Sequence, residues 1–442
     1  MGKINQQVFY IIILFFTNIF ISKSQEIWTL KKCIQRAVEK NISIKQTEAD
    51  LKITKENKKT AIANFLPNFN IGGAHSWNIG LNQNITTGLF ENETMESTSL
   101  NATVGLDLFN GLQNIQQLYL ANLTILANKY QLEDIKDNVS LLVANAYLQI
   151  LFGKETLLIR KSQLKIAKEE LTITKERVKN GIIPQAYILE IEANIAAIEQ
   201  NIVIAKNNYL LSKIALAQLL LITDIENFKI AEESYEVPKA TILNKNVDLI
   251  YKAALKTKNN IKLAQTNLKI AKQNLALSKT SLLPKISGFY SYNSRILFDI
   301  PISLNEQLDL NTGQTFGVQL NIPIFNNMAN NVAVKKNKIN ITKTKYALEQ
   351  IKLDLENTIN QAYNDAKGSL KAYEATTKTL LARKLAYDYA KERFENGVIN
   401  TFNFLESQQK YEAAQSELIK AKYDYIFKIK VLEFYFGNGS IY

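Results

Sequence analysis

Lys175-Glu176-Arg177-Val178-Lys179-Asn180-Gly181 and Lys391-Glu392-Arg393-Phe394-Glu395-Asn396-Gly397 are one phrase written twice, 216 residues apart. Outward from this block the overlay continues: Phe109 with Phe325, Asn110 with Asn326, Tyr130 with Tyr346, Glu133 with Glu349 and Tyr147 with Tyr363. At an offset of 217 it takes in Ala37 with Ala254, Ile44 with Ile261, Leu51 with Leu268, Ile53 with Ile270, Leu66 with Leu283 and Pro67 with Pro284. One change of offset over so long an alignment marks a tandem duplication. The expected boundaries are a signal at 1–24, a first repeat at 25–222, a linker at 223–246, a second repeat at 247–436 and a tail at 437–442.

Upstream of each block, Leu112 to Val178 and Met328 to Phe394 run 67 residues without proline or a glycine-rich break. At 1.5 Å per residue such a helix reaches about 100 Å. Apolar residues recur every seven places, at Ile150, Leu157, Leu164, Leu171 and Val178, then at Ala366, Tyr373, Leu380, Tyr387 and Phe394. That period predicts coiled-coil packing. Asn-Gly then ends each helix and another helix follows, so each block is the turn of an antiparallel helical hairpin.

Each repeat opens with a helical stretch ending at a proline, Asn41 to Leu66 before Pro67 and Asn259 to Leu283 before Pro284. Proline and the residue before it resist helix continuation, so both prolines lead into strands. Phe69, Ile71, Trp77, Ile79 and Leu81 share one parity, with Asn68, Asn70, Ser76, Asn78 and Asn82 on the other. A polar loop is expected from Asn82 to Thr98, followed by Leu100, Ala102, Val104, Leu106 and Leu108 in alternation with polar residues. In the second copy Phe316, Val318, Leu320, Ile322 and Ile324 repeat the pattern, and Lys285 to Asn293 alternates less cleanly. About ten alternating residues suit a tilted outer-membrane strand, and equally a soluble sheet with one buried face. Trp77, Tyr290 and Tyr292 suit either a membrane interface or packing.

The first residues carry Lys3, an apolar run of 14 residues from Val8 to Ile21, and Ser22-Lys23-Ser24 before Gln25, the pattern of a secretory signal cleaved after Ser24. No later stretch reads as long and uncharged enough to cross a bilayer as a helix, so a membrane form must be a β-barrel. Four strands cannot close one. Two chains supply eight strands and three supply 12, both allowed closures.

Cys33 is the only cysteine, which excludes an intrachain disulfide, and reads as a small apolar residue on a helix face. The formal charge is +12, or +10 once Lys3 and Lys23 leave with the signal. Lysines are interleaved with Glu, Asp, Asn and Gln along helices, a solvated surface rather than a nucleic-acid site. His75 is the sole histidine, and neither a GxxxxGK[ST] nor a GxGxxG loop occurs. The sequence therefore offers no histidine metal cluster, no Ser-His-Asp site and no phosphate loop, and it reads as no enzyme, with no cofactor.

Trp28-Thr29-Leu30 with Ala37 and Asn41, the Phe65-Leu66-Pro67 step and the two Arg-x-x-x-Gly hairpins resemble the TolC family of outer-membrane efflux proteins over nearly the whole mature chain. The duplicated order carries the resemblance: helix, two strands, long helix, hairpin, helix. It implies a mainly α fold with a membrane β-barrel, closed by a homotrimer as a 12-stranded barrel, continued as an α-helical periplasmic barrel. It implies an exit duct for efflux or type I secretion in outer-membrane lipid. The implied partners are a periplasmic adaptor (membrane fusion) protein and an inner-membrane resistance-nodulation-division or ABC transporter. The alternative is a periplasmic adaptor or coiled-coil scaffold, although an adaptor typically carries one hairpin and this chain predicts two.

By the same resemblance Arg177, Gly181, Arg393 and Gly397 belong to a periplasmic entrance that meets the adaptor. A pore ring falls among Asn403, Glu406, Glu190 and Tyr187; Asn403 and Tyr187 stand where some members carry an aspartate, which leaves Glu406 as the carboxylate there. Plainer readings stand beside these. The arginines complement a helix C-terminal dipole, the glycines solve a turn, and Glu406 is a solvated helix residue.

Overall fold

The computed structural model describes residues 27–84, 87–231, 237–298 and 300–437, and the signal expected at 1–24 lies outside them. The chain divides into two compact units. One comprises Met1–Ile44, Lys136–Tyr251 and Ile359–Tyr442, the other Lys45–Ile135 and Lys252–Thr358.

The second unit holds a four-stranded sheet made of β2 (Asn68–Gln83), β3 (Phe90–Asn110), β5 (Lys285–Leu297) and β6 (Thr312–Asn321), antiparallel throughout and in the order β2-β3-β5-β6. Pro67 and Pro284 each sit immediately before a strand, where the missing N–H interrupts no ladder. The polar loop expected from Asn82 to Thr98 is instead largely strand, since β3 begins at Phe90 and pairs continuously from Gln83↔Phe90 to His75↔Thr98. Apart from Phe90 and Met95 its first residues are polar on both faces, so alternation vanishes while backbone pairing persists. Ile322 and Ile324 fall outside β6, which ends at Asn321; Pro323 has no N–H to carry the ladder on. β5 runs on to Leu297, where Gln307, on the short helix α7 (Leu304–Leu310), caps it with its amide: Oε1 accepts from Leu297 N at 2.7 Å and Nε2 donates to Leu297 O at 2.8 Å.

Register assigns the faces. Phe69, Ile71, Val104, Tyr290, Phe316 and Val318 share one, and Asn68, Asn70, Asn101, Ser291, Asn293 and Gln319 the other. The apolar face is bare in the single chain, with Ile79 79% and Phe316 83% exposed. On the polar face asparagine lies across glycine three times. The Oδ1 atoms of Asn101, Asn68 and Asn293 stand 2.8 Å from where a Cβ would be at Gly72, Gly105 and Gly313.

The helices leading into this sheet are α2 (Ile42–Ala63) and α6 (Asn259–Thr280), both ending short of the expected Leu66 and Leu283. The long helices leaving it are α3 (Gln113–Lys179) and α8 (Ala329–Glu395), 67 residues each, one residue from the expected bounds. The joints are alike. Gly111-Leu112 and Asn327-Met328 hold consecutive positive φ values. Asn114 Nδ2 donates to Asn64 O at 2.6 Å, and its repeat counterpart Asn330 donates to Ser281 O at 2.7 Å. Each bond satisfies a backbone carbonyl just past the end of the incoming helix.

The first unit contains α1 (Leu30–Lys40), α4 (Ala186–Leu219), α9 (Thr401–Phe436) and the adjoining lengths of α3, α5 (Val247–Thr257) and α8. β1 (Ile27–Trp28) pairs in parallel with β4 (Lys229–Ile230). The duplication recurs in Tyr147, whose OH donates to Trp28 O and Ala231 O, and Tyr363, whose OH donates to Leu243 O. Cys33 is buried on α1, and burial pushes its thiol up to about 12, which makes it unreactive. The sequence reading of no apolar helical span needs one correction. A window of α3 does reach the length and hydropathy of a membrane helix, and 39% of it is buried within the chain.

Candidate functional site

The two blocks that open the sequence argument form two turns of identical geometry. In the first, Gly181 N donates to Val178 O at 3.0 Å and Ile182 N to Arg177 O at 2.9 Å. In the second, Gly397 N donates to Phe394 O at 3.0 Å and Val398 N to Arg393 O at 2.8 Å. These paired bonds are the Schellman motif, which requires a left-handed residue; φ is +69° at Gly181 and +73° at Gly397. No atom lies within 4 Å of a Cβ built at either position, so conformation rather than space demands glycine there.

The two arginines are equivalent in sequence and unlike in place. Arg177 reaches from the first hairpin to the end of α8, donating through Nη1 to Phe394 O at 2.9 Å and through Nη2 to Glu395 O at 2.5 Å. Its guanidinium carbon stands 5.3 Å from the centre of the Phe394 ring. It thus gives Glu395 O a partner at the helix C-terminus, gives Phe394 O a second one beside Gly397 N, and adds a cation–π contact. Arg393 is exposed and makes no such bond among the described residues.

The hairpins bound a cleft of about 550 Å³ lined by Arg177, Ile182, Pro184, Tyr187, Phe394 and Gly397 among others. It brings together three of the residues named from the sequence, Arg177, Tyr187 and Gly397, and leaves Gly181 and Arg393 outside. Asn403 is exposed in the first turn of α9, its backbone N–H received by the side chain of Asn400 at 2.9 Å. Asn400 is the helix N-cap, a role the sequence reading missed although Asn three residues before the helix interior is its usual sign. Glu190 and Glu406 are exposed on the returning helices. Glu406 is paired with Lys410 one turn on, and that hydrogen bond holds its carboxyl below the usual range.

Above the tips lies a buried polar cluster that the sequence did not announce. Glu170 is 7% exposed and accepts from Tyr387 OH at 3.3 Å, while Gln408 donates to Glu412 at 3.2 Å. Burial, augmented by the Glu412 charge, pushes Glu170 up to about 7 against the hydrogen bond of Tyr387 and the charge of Lys391. Burial also raises Glu412. Among the described residues Glu170 Oε2, Thr174 Oγ1 and Gln408 Oε1 have no hydrogen-bond partner. Each such atom forfeits part of its hydration free energy.

The family model described as outer membrane efflux protein matches residues 33–220 and again 250–438. This chain belongs to that family. Among solved structures, this outer membrane efflux protein is similar to the outer-membrane channel OprN, with a TM-score of 0.77 at 15% identity, covering 93% of this chain and 90% of that one. It is similar to CusC at a TM-score of 0.75 and 15% identity, covering 93% and 92%. The outer membrane protein VceC from Vibrio cholerae gives 0.73 at 16%, covering 93% and 96%. At such identities the likeness is one of fold. In sequence, 124 residues are 28% identical to the alkaline protease secretion protein AprF of Pseudomonas aeruginosa. That match takes in 27% of this chain and about a quarter, 25%, of AprF.

Proposed function

We propose that three copies of this chain close a 12-stranded barrel in the outer membrane and serve as the exit duct of an efflux pump or a type I secretion system. The observation that carries the reading is the four-stranded sheet, bare and apolar on one face, polar on the other, with the outer edges of β2 and β6 unpaired among the described residues. An unpaired edge in lipid costs several kcal/mol for each backbone group, and closure by neighbouring copies removes it. The apolar face then meets lipid and the asparagine-rich face lines the lumen. On this reading 1–24 is removed as the signal, and the repeats at 25–222 and 247–436, joined by 223–246, supply one hairpin each to the periplasmic entrance.

The cleft beside Arg177 and Gly397 is where a periplasmic adaptor would dock, linking the duct to an inner-membrane resistance-nodulation-division or ABC transporter, which would supply the energy. Glu406, Asn403, Glu190 and Tyr187 would stand near the pore. The Lys410 partner offsets the Glu406 charge, so a ring of three Glu406 residues would repel anions only weakly. The test is the native mass of protein extracted from outer membranes in mild detergent, corrected for bound detergent. Three chains are expected; a detergent-free soluble monomer would overturn the duct in favour of a periplasmic scaffold.

A further inference from the structure

The duplication has spread charge unevenly where the helices meet the sheet. From Ala329 to Leu348, α8 carries five lysines, Lys335, Lys336, Lys338, Lys343 and Lys345, and no acid. From Lys52 to Ala63, α2 carries four lysines and one acid, Glu56, which pairs with Lys59 at 2.7 Å. All but the half-buried Lys58 are exposed, and apart from Lys59 none makes an ion pair among the described residues. The repeat counterparts are different. At an offset of 216, Lys335, Lys336, Lys338 and Lys343 fall on Tyr119, Leu120, Asn122 and Ala127 of α3. At 217, Lys58 and Lys59 fall on Leu275 and Ala276 of α6.

Neighbouring helices here are joined by amides. Asn64, just past the end of α2, donates to Gln117 of α3 at 2.9 Å, Gln273 of α6 donates to Gln116 of α3 at 2.6 Å, and Asn330 of α8 donates to Ser281 O at the end of α6 at 2.7 Å. The helices thus follow the strand order, α2, α3, α6, α8, and the added cations fall on the two outer members. α8 leaves β6 and α2 enters β2, the two edges that meet when copies close the barrel proposed above. Each seam then sets α8 of one copy beside α2 of the next. The lysines begin about 6 Å from the sheet end of α2 and about 9 Å from that of α8, at 1.5 Å per residue, so both sets lie at one depth. Such a seam repels itself until an anion enters it. Between these lysines and β6 stand Ile322 and Ile324, 55% and 93% exposed, on the parity of the apolar face. Apolar residues give way to lysines there, as hydrocarbon gives way to headgroups.

We infer that each seam between copies, just below the barrel, binds the phosphate headgroup of an anionic phospholipid of the periplasmic leaflet, held by Lys335, Lys336 and Lys338 of one copy and Lys58 and Lys59 of the next. The inference rests on the ring of chains proposed above, since neither copy holds the site alone. The isoleucines single out a lipid over a free anion, because acyl chains can lie on them while the phosphate reaches the lysines.

The test titrates the full-length protein in mild detergent with phosphatidylglycerol or with phosphatidylcholine of the same acyl chains, and counts lipids on the three-chain mass by native mass spectrometry. Phosphatidylglycerol is expected to bind in multiples of three and in preference to phosphatidylcholine. Lys335→Gln, Lys336→Gln and Lys338→Gln together are expected to weaken it about 100-fold, at about five-fold per lysine. Lys269→Gln, Lys272→Gln and Lys279→Gln remove the same charge from α6, a helix away from the seam, and are expected to weaken it less than about three-fold. Equal losses from the two triple variants, or equal binding of the two lipids, would overturn the inference and leave the duct standing. Displacement of phosphatidylglycerol by excess inorganic phosphate would make the seam a site for free anions and overturn the lipid. A native mass of one chain would overturn the duct and the seam with it. As a second measure, the reversal potential of the channel in planar bilayers of neutral lipid is expected to be the same with and without Lys335, Lys336 and Lys338; a shift toward cations in the variant would place these lysines in the bore and overturn the inference.

Discussion

The two hairpins share a frame and differ in filling. The first is packed by aliphatic residues, Ala167, Ile191, Ile195 and Ile198 with Leu164, Leu171 and Ile202. Outside, it is laced by ion pairs, Lys168–Glu199 at 3.2 Å and Lys175–Glu192 at 3.1 Å. The second is aromatic: Phe394 stacks on Phe404 at 4.8 Å and Tyr387 on Tyr411 at 5.3 Å, positions held in the first by Val178, Ile188, Leu171 and Ile195. Where the first has Glu192 and Glu199, the second has Gln408 and Gln415, and both glutamines turn to other work. Gln415 accepts from Gln163 of α3, and Gln408 lies in the buried cluster with Glu412. Duplication fixed the backbone, and divergence made the copies complementary to one another. The aromatic hairpin is the bed on which Arg177 and Glu170 rest.

The sharpest way to break the comparison is to remove the aromatic filling. Phe394→Ala is expected to lower the local stability of the second hairpin by about 3–5 kcal/mol, whereas Val178→Ala at the matching, half-buried position costs about 1 kcal/mol. Hydrogen exchange at the tip amides of the assembled protein measures both, and equal losses would refute the contrast.

Next is the pH response of the buried cluster. The folded state raises Glu170 from its ordinary 4.5 to about 7, so it holds the proton more tightly than the unfolded chain does. Stability of this region is then highest below pH 4.5, falls as pH rises through 7, and levels off above, a span of about 3 kcal/mol. Glu170→Gln should flatten that profile and stabilise the hairpins at pH 8. A slope unchanged in the variant would assign the effect to another group.

Arg177→Ala is expected to cost about 1–2 kcal/mol at the end of α8 through loss of the two carbonyl bonds and the ring contact, seen as faster exchange at Gly397 and Val398. Exchange at Gly181 and Ile182 should not change. The smallest effect tests the shared frame: Gly181→Ala and Gly397→Ala should each cost about 1 kcal/mol, and equally, because both are left-handed and open to solvent. Unequal costs would show that the turns differ in more than filling.

What the sequence disclosed was the part governed by period and punctuation. The long helices were legible to within a residue because nothing interrupts their apolar recurrence and Asn-Gly ends them. Strands were legible where one face is apolar and the other polar, as at Phe69 to Leu81, and lost where both faces are polar, as at Phe90 to Thr98, since backbone pairing leaves no trace in hydrophobicity. The tips were located, but the division of labour between Arg177 and Arg393 was hidden, because two matching turn sequences do not say which hairpin reaches which. Glu170 was hidden for a related reason: its burial comes from Tyr387, Gln408 and Glu412, all more than 200 residues away.

The asparagine laid across glycine on the polar face has a further consequence. In the barrel proposed here, Asn68, Asn101 and Asn293 recline along the wall instead of standing into the bore, because Gly105, Gly72 and Gly313 leave them the room. The three glycines thereby act as the calibre of the conduit. At these three places the lining is a neutral amide flush with the backbone, while Asp107, Lys285 and Arg295 share the same face by register.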